Sequence, residues 1–252
     1  MGGYSSFAYF YDILTQNIDY SRRALYFDSL IKLHGGNKGL LLDLACGTGS
    51  LSEEMAKLGY DVIAVDSSVE MLSAAMSKKA ESGLPIQYIC QSMTELDLYG
   101  GVDVTICALD SLNHLPDTEA IFRTFQKVNI FTEPRGLFIF DMNTPYKHIN
   151  TLGNNTFVYD MDDLYCVWSC CLDVKSEDNR VDITLDFFSA DEDGSYQRYS
   201  DELSEIAPKI QTVDELVCNA GFEILAKYDY DTLNSPKENS DKLVWVCRKA
   251  NK

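Results

Sequence analysis

The sequence predicts a doubly wound α/β fold with a small inserted antiparallel β subdomain, and three observations carry that prediction. Strand-like and helix-like patterns alternate through the first 142 residues. The strand-like runs there are apolar almost throughout, as parallel strands covered on both faces must be. From Thr156 to Glu205 the pattern changes to alternation of apolar and polar residues with no convincing helix, which marks antiparallel strands with one solvated face.

In chain order, Tyr4 to Thr15 and Tyr20 to His34 read as helices, the second stopped by Gly35-Gly36. Strand Gly39 to Leu44 precedes helix Ser50 to Leu58 with Gly59 as its stop. Strand Asp61 to Val65 precedes helix Ser67 to Ser82, closed by Gly83. Short strand Ile86 to Cys90, strand Val102 to Ala108, helix Asp117 to Asn129 and strand Gly136 to Met142 complete this half. Ser50 with Glu53, Ser67 with Glu70, and Thr212 with Glu215 match the capping-box spacing, in which a hydroxyl and a later carboxylate satisfy backbone amides reciprocally.

In the inserted region, "YCVWSCCLDV" sets Cys166, Trp168, Cys170, Leu172 and Val174 on one face. "RVDITLDFF" alternates Val181, Ile183, Leu185 and Phe187 against Asp182, Thr184 and Asp186. "ADEDGS" supplies a turn before Tyr196 to Glu202. Helix Val213 to Ala220, stopped by Gly221, and strands Phe222 to Tyr230 and Lys242 to Arg248 then resume the α/β pattern. The expected division is 1-148 and 208-252 for the main domain and 149-207 for the insert, which is placed as a lid or substrate subdomain.

Composition narrows the function. A chain of 252 residues, 46% hydrophobic and 24% charged, is long enough for one large core plus an appendage. The formal net charge of −18 would repel a phosphate polymer, so nucleic acid is a poor partner. No apolar run is long enough for a membrane span, and the start lacks a secretory pattern. Met1-Gly2 with Ser6 fits an N-myristoylation pattern only loosely, and no membrane attachment is expected. Eight cysteines without C-x-x-C spacing read as reduced, buried thiols of a cytoplasmic protein. His34, His114 and His148 lie far apart in sequence, and no metal is expected. The chain is read as a monomer or a homodimer.

The chemistry gathers at "LLDLACGTGSLSEE", Leu41 to Glu54. Ligands of doubly wound sheets sit beyond the carboxyl ends of the strands. Gly47 and Gly49 allow close approach of a ligand to the backbone, and the amides opening the next helix favour an anionic group. Asp66 ends the second strand, 23 residues after Asp43, where a carboxylate can accept hydrogen bonds from ribose hydroxyls. A nicotinamide dinucleotide site wants a third glycine, and Ser52 stands at that position. Asp43, placed before the turn, makes better sense facing an ammonium group, which S-adenosylmethionine has and NAD lacks.

"LLDLACGTGSLS" resembles motif I of the class I S-adenosylmethionine-dependent methyltransferases, with Ala45 where many members have glycine. "VIAVDSSVEML", "ICQSM" and "VDVTICALDSLNHL" resemble their second-, third- and fourth-strand motifs, in the usual order. The resemblance implies a Rossmann-like seven-stranded sheet of order 3-2-1-4-5-7-6 with an antiparallel last strand. "YSSFAYFYDILTQNIDY" and the inserted sheet further resemble bacterial small-molecule members that include amino-sugar N-methyltransferases.

The residues and the resemblance together imply S-adenosyl-L-methionine as cofactor, with S-adenosyl-L-homocysteine as product. The expected cofactor residues are Tyr11, Asp43, Ala45, Gly47, Gly49, Asp66, Ser67, Met71, Gln91, Ser92, Met93 and Leu109. At the position of Ser92 the family often has an acid that bonds the adenine amino group. Tyr4, Phe7 and Phe10 read as a core stripe, and Tyr11 as the residue of that helix that reaches the cofactor.

His114 in "DSLNHL" is the one histidine near the expected reaction point and the candidate general base; the competing reading is a surface or capping histidine. Asp110, Asn113, Asp141 and Asn143 sit at strand ends facing the same crevice. The expected reaction is methyl transfer to N or O of a small molecule by in-line displacement. The insert holds 14 acidic and 3 basic side chains between residues 151 and 205. Those acids form a solvated face or, on a sharper reading, attract a cationic amine acceptor. A nucleotide-dependent oxidoreductase and a non-catalytic S-adenosylmethionine-binding protein remain open at this point.

Overall fold

Leu41 and Leu42 are adjacent yet belong to different cores, which is what a strand buried on both faces requires. A computed structural model describes residues 5–191 and 193–250, with side chains from residue 8 onward. The expected helix start at Tyr4, the Phe7 side chain and the Met1-Gly2 pattern lie outside the described residues. Six α-helices are described: α1 (Ser5–Leu14), α2 (Tyr20–Leu33), α3 (Ser50–Lys57), α4 (Val69–Ser82), α5 (Thr118–Phe131) and α6 (Ile210–Asn219).

The main sheet contains β1 (Leu40–Leu44), β2 (Asp61–Asp66), β3 (Gln87–Cys90), β4 (Val102–Cys107), β5 (Thr132–Asn143), β10 (Phe222–Asp229) and β11 (Lys242–Lys249). Its order is β10-β11-β5-β4-β1-β2-β3. Strands β1 to β5 pair in parallel, and β11 runs antiparallel to both β5 and β10. This is the expected 3-2-1-4-5-7-6 arrangement. Leu42, Leu44, Phe138, Phe140 and Trp245 pack with α5 and α6 on one face. Leu41, Val104, Ile106 and Ile139 pack with Phe27 and Ile31 of α2 and Met55 of α3 on the other.

A second, four-stranded antiparallel sheet runs β6 (Thr156–Asp160), β7 (Leu164–Leu172), β8 (Val181–Ala190) and β9 (Tyr196–Glu205) in that order. Val181, Ile183, Leu185 and Phe187 are buried, as their alternation predicts, and Asp182 and Asp186 lie on the opposite face. Val174 falls beyond β7 and is exposed, and β6 has no counterpart in the sequence expectation. Phe10 of α1 joins this sheet's core, stacked on Phe187 with centroids 4.8 Å apart.

The capping boxes did not form as spaced. Helix α3 is capped by Gly49 in the left-handed region, φ 76°, without a side-chain bond, and Ser50 lies inside the helix. The α4 cap is Ser68, one residue later than expected; its hydroxyl accepts from the Met71 amide. Helix α6 starts at Ile210 without a side-chain cap, so Thr212 is interior. In each case the packed position of the helix outweighs a local gain of about 1 kcal/mol. Cysteine burial also differs from expectation, because Cys90, Cys171 and Cys218 are exposed.

Candidate functional site

Past Leu44 the chain makes a sharp turn with three left-handed residues: Ala45 at φ 61°, Gly47 at φ 56° and Gly49 at φ 76°. Alanine holds this conformation at a cost of about 1 kcal/mol or more, which the surrounding packing must offset. The turn is pinned where the Cys46 amide donates to the Val65 carbonyl at 3.0 Å and the Gly47 amide to Asp66 Oδ2 at 2.8 Å. Gly49 is required for a different reason: a Cβ there would lie 2.3 Å from Tyr88 Oη and 3.1 Å from Ala75 Cβ. It lets α4 and β3 close on the loop and lines neither cavity described below.

Helix α1 is latched across this turn. The Thr48 hydroxyl donates to Asp12 Oδ1 at 2.6 Å, and Lys78 Nζ reaches Asp12 Oδ2 at 2.7 Å and the hydroxyls of Thr48 and Ser50 at 3.0 and 2.7 Å. That places Tyr11 over Gly47, its ring edge 4.0 Å from where a Cβ would stand.

Asp66 ends β2 with both oxygens engaged, Oδ2 by Gly47 and Oδ1 by the Ser68 amide at 2.9 Å. Burial raises its carboxyl above the ordinary range even against those amide bonds. Each carboxylate oxygen has two acceptor sites, so capacity remains for hydroxyl donors.

A cavity of about 280 Å³ opens from this point, near the lower end of the roughly 300–1,000 Å³ of small-molecule sites. Gly47, Asp66, Ser67 and Met71 line one side, Gln91, Ser92 and Met93 another, and Tyr11, Ala45, Leu109 and His114 the rest. Val65, Ser68, Ser111 and Leu115 also line it and were missed from sequence. The Ser92 hydroxyl already caps the 3-10 turn Met93–Glu95, accepting from the Thr94 amide at 3.3 Å. The Gln91 side-chain amide is committed to the backbone of Asp97, giving to its carbonyl and accepting from its amide at 3.1 Å each.

A smaller cavity of about 30 Å³ adjoins the first through Tyr11, Ala45, Leu109 and Ser111, and Asp43, Thr48, Ser50 and Tyr20 line it. Asp43 is 2% exposed, and Ser52 Oγ donates to its Oδ2 at 2.5 Å. Burial, with Asp66 nearby, pushes its carboxyl up to about 7 although the Ser52 bond opposes this.

Beyond β4 and β5 lies a buried polar cluster. Asp141 accepts from the amides of Leu109 and Asp110 at 3.0 and 2.7 Å and holds those two left-handed residues, φ 61° and 55°. Burial raises the Asp141 carboxyl in spite of Lys242. Asp110 behaves oppositely: burial would raise it, but Lys242 at 2.9 Å and Lys147 hold it well below the usual carboxylate range. Asn113 ties β5 to the end of the insert, its Nδ2 giving to the carbonyls of Asn143 and Ile206 and its Oδ1 accepting from the Asn143 amide. Asn113 and Asp141 thus do structural work.

His114, on the 3-10 turn Ser111–His114, faces the large cavity, with Nε2 3.8 Å from Glu205 Oε1. Glu205, His148, Lys147 and Lys242 join this cluster unpredicted. They come from β9, a π-helical turn Lys147–Leu152 and the first residue of β11, with no shared spacing to reveal them.

This architecture and cradle define a class I methyltransferase fold. A family described as "Methyltransferase domain" matches residues 41–136. A Geobacillus sp. (strain WCH70) protein named as a methyltransferase is 30% identical over 248 residues, covering 98% of this chain and 99% of that one. The crystal structure of an S-adenosylmethionine-dependent methyltransferase from Clostridium acetobutylicum ATCC 824 superposes with a TM-score of 0.88 at 30% identity, over 98% of this chain and 99% of that one. CalS10, described as an amino pentose methyltransferase, shares the fold at 15% identity and a TM-score of 0.75 over 96% of both chains. The chain belongs to the class I S-adenosylmethionine-dependent methyltransferases. It is therefore an enzyme whose cofactor is S-adenosylmethionine, and the oxidoreductase and non-catalytic readings fall away.

Proposed function

We propose that the enzyme methylates N or O of a small molecule, with the cofactor across the two joined cavities and the acceptor between His114 and the inserted sheet. The observation that carries this reading is the pairing of donor sets. Asp66 and the Met71 and Met93 side chains suit a nucleoside in the large cavity. Asp43 suits an ammonium group in the small one, because a buried carboxylate held near 7 gains most from a cation. Tyr11, Ala45, Gly47, Ser67, Gln91, Ser92 and Leu109 complete the cofactor set in this reading, and Gly49 serves it by setting the helix behind the turn. Gln91 and Ser92 contribute through backbone or shape, since their side chains are engaged elsewhere.

The cofactor supplies a methyl group on a positively charged sulfur, already activated for displacement. The protein's share is positioning and exclusion of water, worth about 7–11 kcal/mol when the reacting atoms are held in line. His114 would take the proton that the acceptor gives up on methylation, with the methyl group supplied by the bound cofactor. The insert, residues 149-207, acts as the lid over the main domain of 1-148 and 208-252.

A cationic amine acceptor fits less broadly than charge alone suggested. Asp182 and Asp186 face away from the small sheet's core, whereas Glu205 is the insert carboxylate in the cluster beside His114. Fold neighbours described as amino-pentose and sugar N-methyltransferases support a small acceptor. No helix among the described residues is long and apolar enough to cross a membrane, consistent with work in the cytoplasm. Release of S-adenosylhomocysteine with a panel of small amines, phenols and alcohols tests the proposal. Turnover confined to a protein or nucleic-acid acceptor would overturn it.

A further inference from the structure

His148 is completely buried, and both ring nitrogens face oxygen. Nδ1 lies 2.7 Å from the carbonyl oxygen of Asn179 and Nε2 3.3 Å from Glu205 Oε2. A carbonyl can only accept, so Nδ1 carries a hydrogen. Glu205 Oε2 also accepts from Asn143 Nδ2 at 2.8 Å, and the orientation of that amide is determined by its neighbours. Asn143 Nδ2 gives its other hydrogen to Asp110 Oδ2 at 2.7 Å, while Oδ1 accepts from Lys147 Nζ at 2.9 Å. With Glu205 ionised, Oε2 can only accept, and His148 Nε2 then carries a hydrogen as well. An imidazole with two hydrogens is a cation, and a buried cation requires a charged partner.

These bonds leave Glu205 Oε1 facing His114 Nε2 across 3.8 Å. The other nitrogen of that ring, Nδ1, is buried and has no hydrogen-bond partner among the described residues, although His114 lines the large cavity. A carboxylate behind one imidazole nitrogen with the opposite nitrogen bare is the arrangement that prepares a histidine to take a proton. Such contacts are often long without substrate and tighten when it binds.

We propose that Glu205, delivered from the end of the inserted sheet, is the positioning residue for His114, and that a doubly protonated His148 keeps it ionised for that task. The proposal rests on the reading of His114 as the base. It fits the balance of forces on a carboxyl only 3% exposed: burial would raise it, yet the His148 hydrogen bond and His114 hold it below its ordinary range. Glu205 favours a hydrogen on His114 Nε2, and so leaves the opposite nitrogen, Nδ1, without one. Once His114 is charged, Glu205 and Asp110 stabilise it, while Lys147, Lys242 and His148 oppose it. The inserted sheet would then complete the reaction centre as well as cover it.

The chain has three histidines, so nitrogen-15 NMR of histidine-labelled full-length protein reports each ring, assigned with His34→Gln and His114→Gln variants. Above pH ~8, where an ordinary histidine is neutral, His148 is expected to carry hydrogens on both nitrogens and His114 on Nε2 alone. In Glu205→Gln the amide oxygen takes the Asn143 and His148 donors and its NH₂ faces His114 Nε2. His114 then switches to the Nδ1–H form.

A wild-type His114 already in the Nδ1–H form, a singly protonated wild-type His148, or an unchanged His114 in Glu205→Gln overturns the proposal. The wild-type spectrum decides even if the variant does not fold. Calorimetry of wild type with S-adenosylhomocysteine separates the two levels. No binding sinks the cofactor placement whatever the histidines do, and activity retained in His114→Gln sinks the base while leaving the Glu205 coupling in place.

Discussion

Replacing Asp43 by asparagine tests the cofactor placement most directly, because it should improve one property while ruining another. In the folded protein the Asp43 carboxyl titrates at about 7, against an ordinary 3.8. At about 1.4 kcal/mol per pH unit that gap amounts to about 4 kcal/mol. The folded value lies above the unfolded one, so the group's contribution is fully favourable below pH 3.8. It declines as pH rises through 7, and above that the fold carries the whole cost of an ionised carboxylate. Asp43→Asn removes that cost, and the Ser52 hydroxyl can still donate to the amide oxygen.

Allowing half the figure for the new amide's own needs, the variant should gain about 2 kcal/mol at pH ~8, roughly 4–8 °C in Tm for a chain of this size. The gain should shrink toward pH ~5. Affinity for S-adenosylmethionine should fall at least about tenfold, the loss of a charge-assisted bond to the ammonium group. Wild-type binding below pH ~7 should also release a proton, visible as a buffer-dependent calorimetric enthalpy. Thermal melts across pH and isothermal titration measure all three. Unchanged affinity in Asp43→Asn, or destabilisation at every pH, would refute the placement of the ammonium group and the electrostatic reasoning behind it.

Gly49→Ala should cost about 2 kcal/mol from left-handed strain and the clash with Tyr88, and Tyr88→Phe should recover part of it in the double variant by denaturant melts. Asp66→Ala, which removes the acceptor for ribose hydroxyls and the Gly47 pin, should weaken cofactor binding at least about tenfold by calorimetry. Asp12→Ala releases α1 from Thr48 and Lys78 and should speed cofactor release severalfold in stopped-flow displacement, with added salt reproducing part of the effect in wild type.

The strand–helix alternation was legible because each parallel strand is apolar on both faces, and Gly47 and Asp66 were legible because the chain returns to the same sheet edge after each strand. Helix starts were less so: Ser50, Ser67 and Thr212 offered hydroxyls at the right spacing, but Gly49 had to admit Tyr88, and Ser68 rather than Ser67 stands at the α4 cap. Strand β6 escaped notice because "TFVYD" is a short edge strand with only half-buried apolar residues, so its sequence carries little signal. Of the Asp110, Asn143, His148, Glu205 and Lys242 cluster, Asp110 and Asn143 were placed at the crevice from sequence, and the other three were illegible for another reason. The cluster's members come from five places in the chain, and each looks like an ordinary loop or strand-end residue until the two sheets are brought together. His114 stood out only through its position after the fourth strand.

Phe10 and Tyr11 are consecutive, yet one is embedded in the interior of the small sheet and the other forms a wall of the large cavity. Swinging that helix away to admit a molecule therefore pulls an aromatic plug out of the neighbouring module. Occupancy in turn seals the plug, so saturating the larger unit should protect amide hydrogens of the smaller one from exchange at distances no bound molecule touches. That turn of helix thus adds to the Asn113 and Glu205 ties in coupling the two sheets.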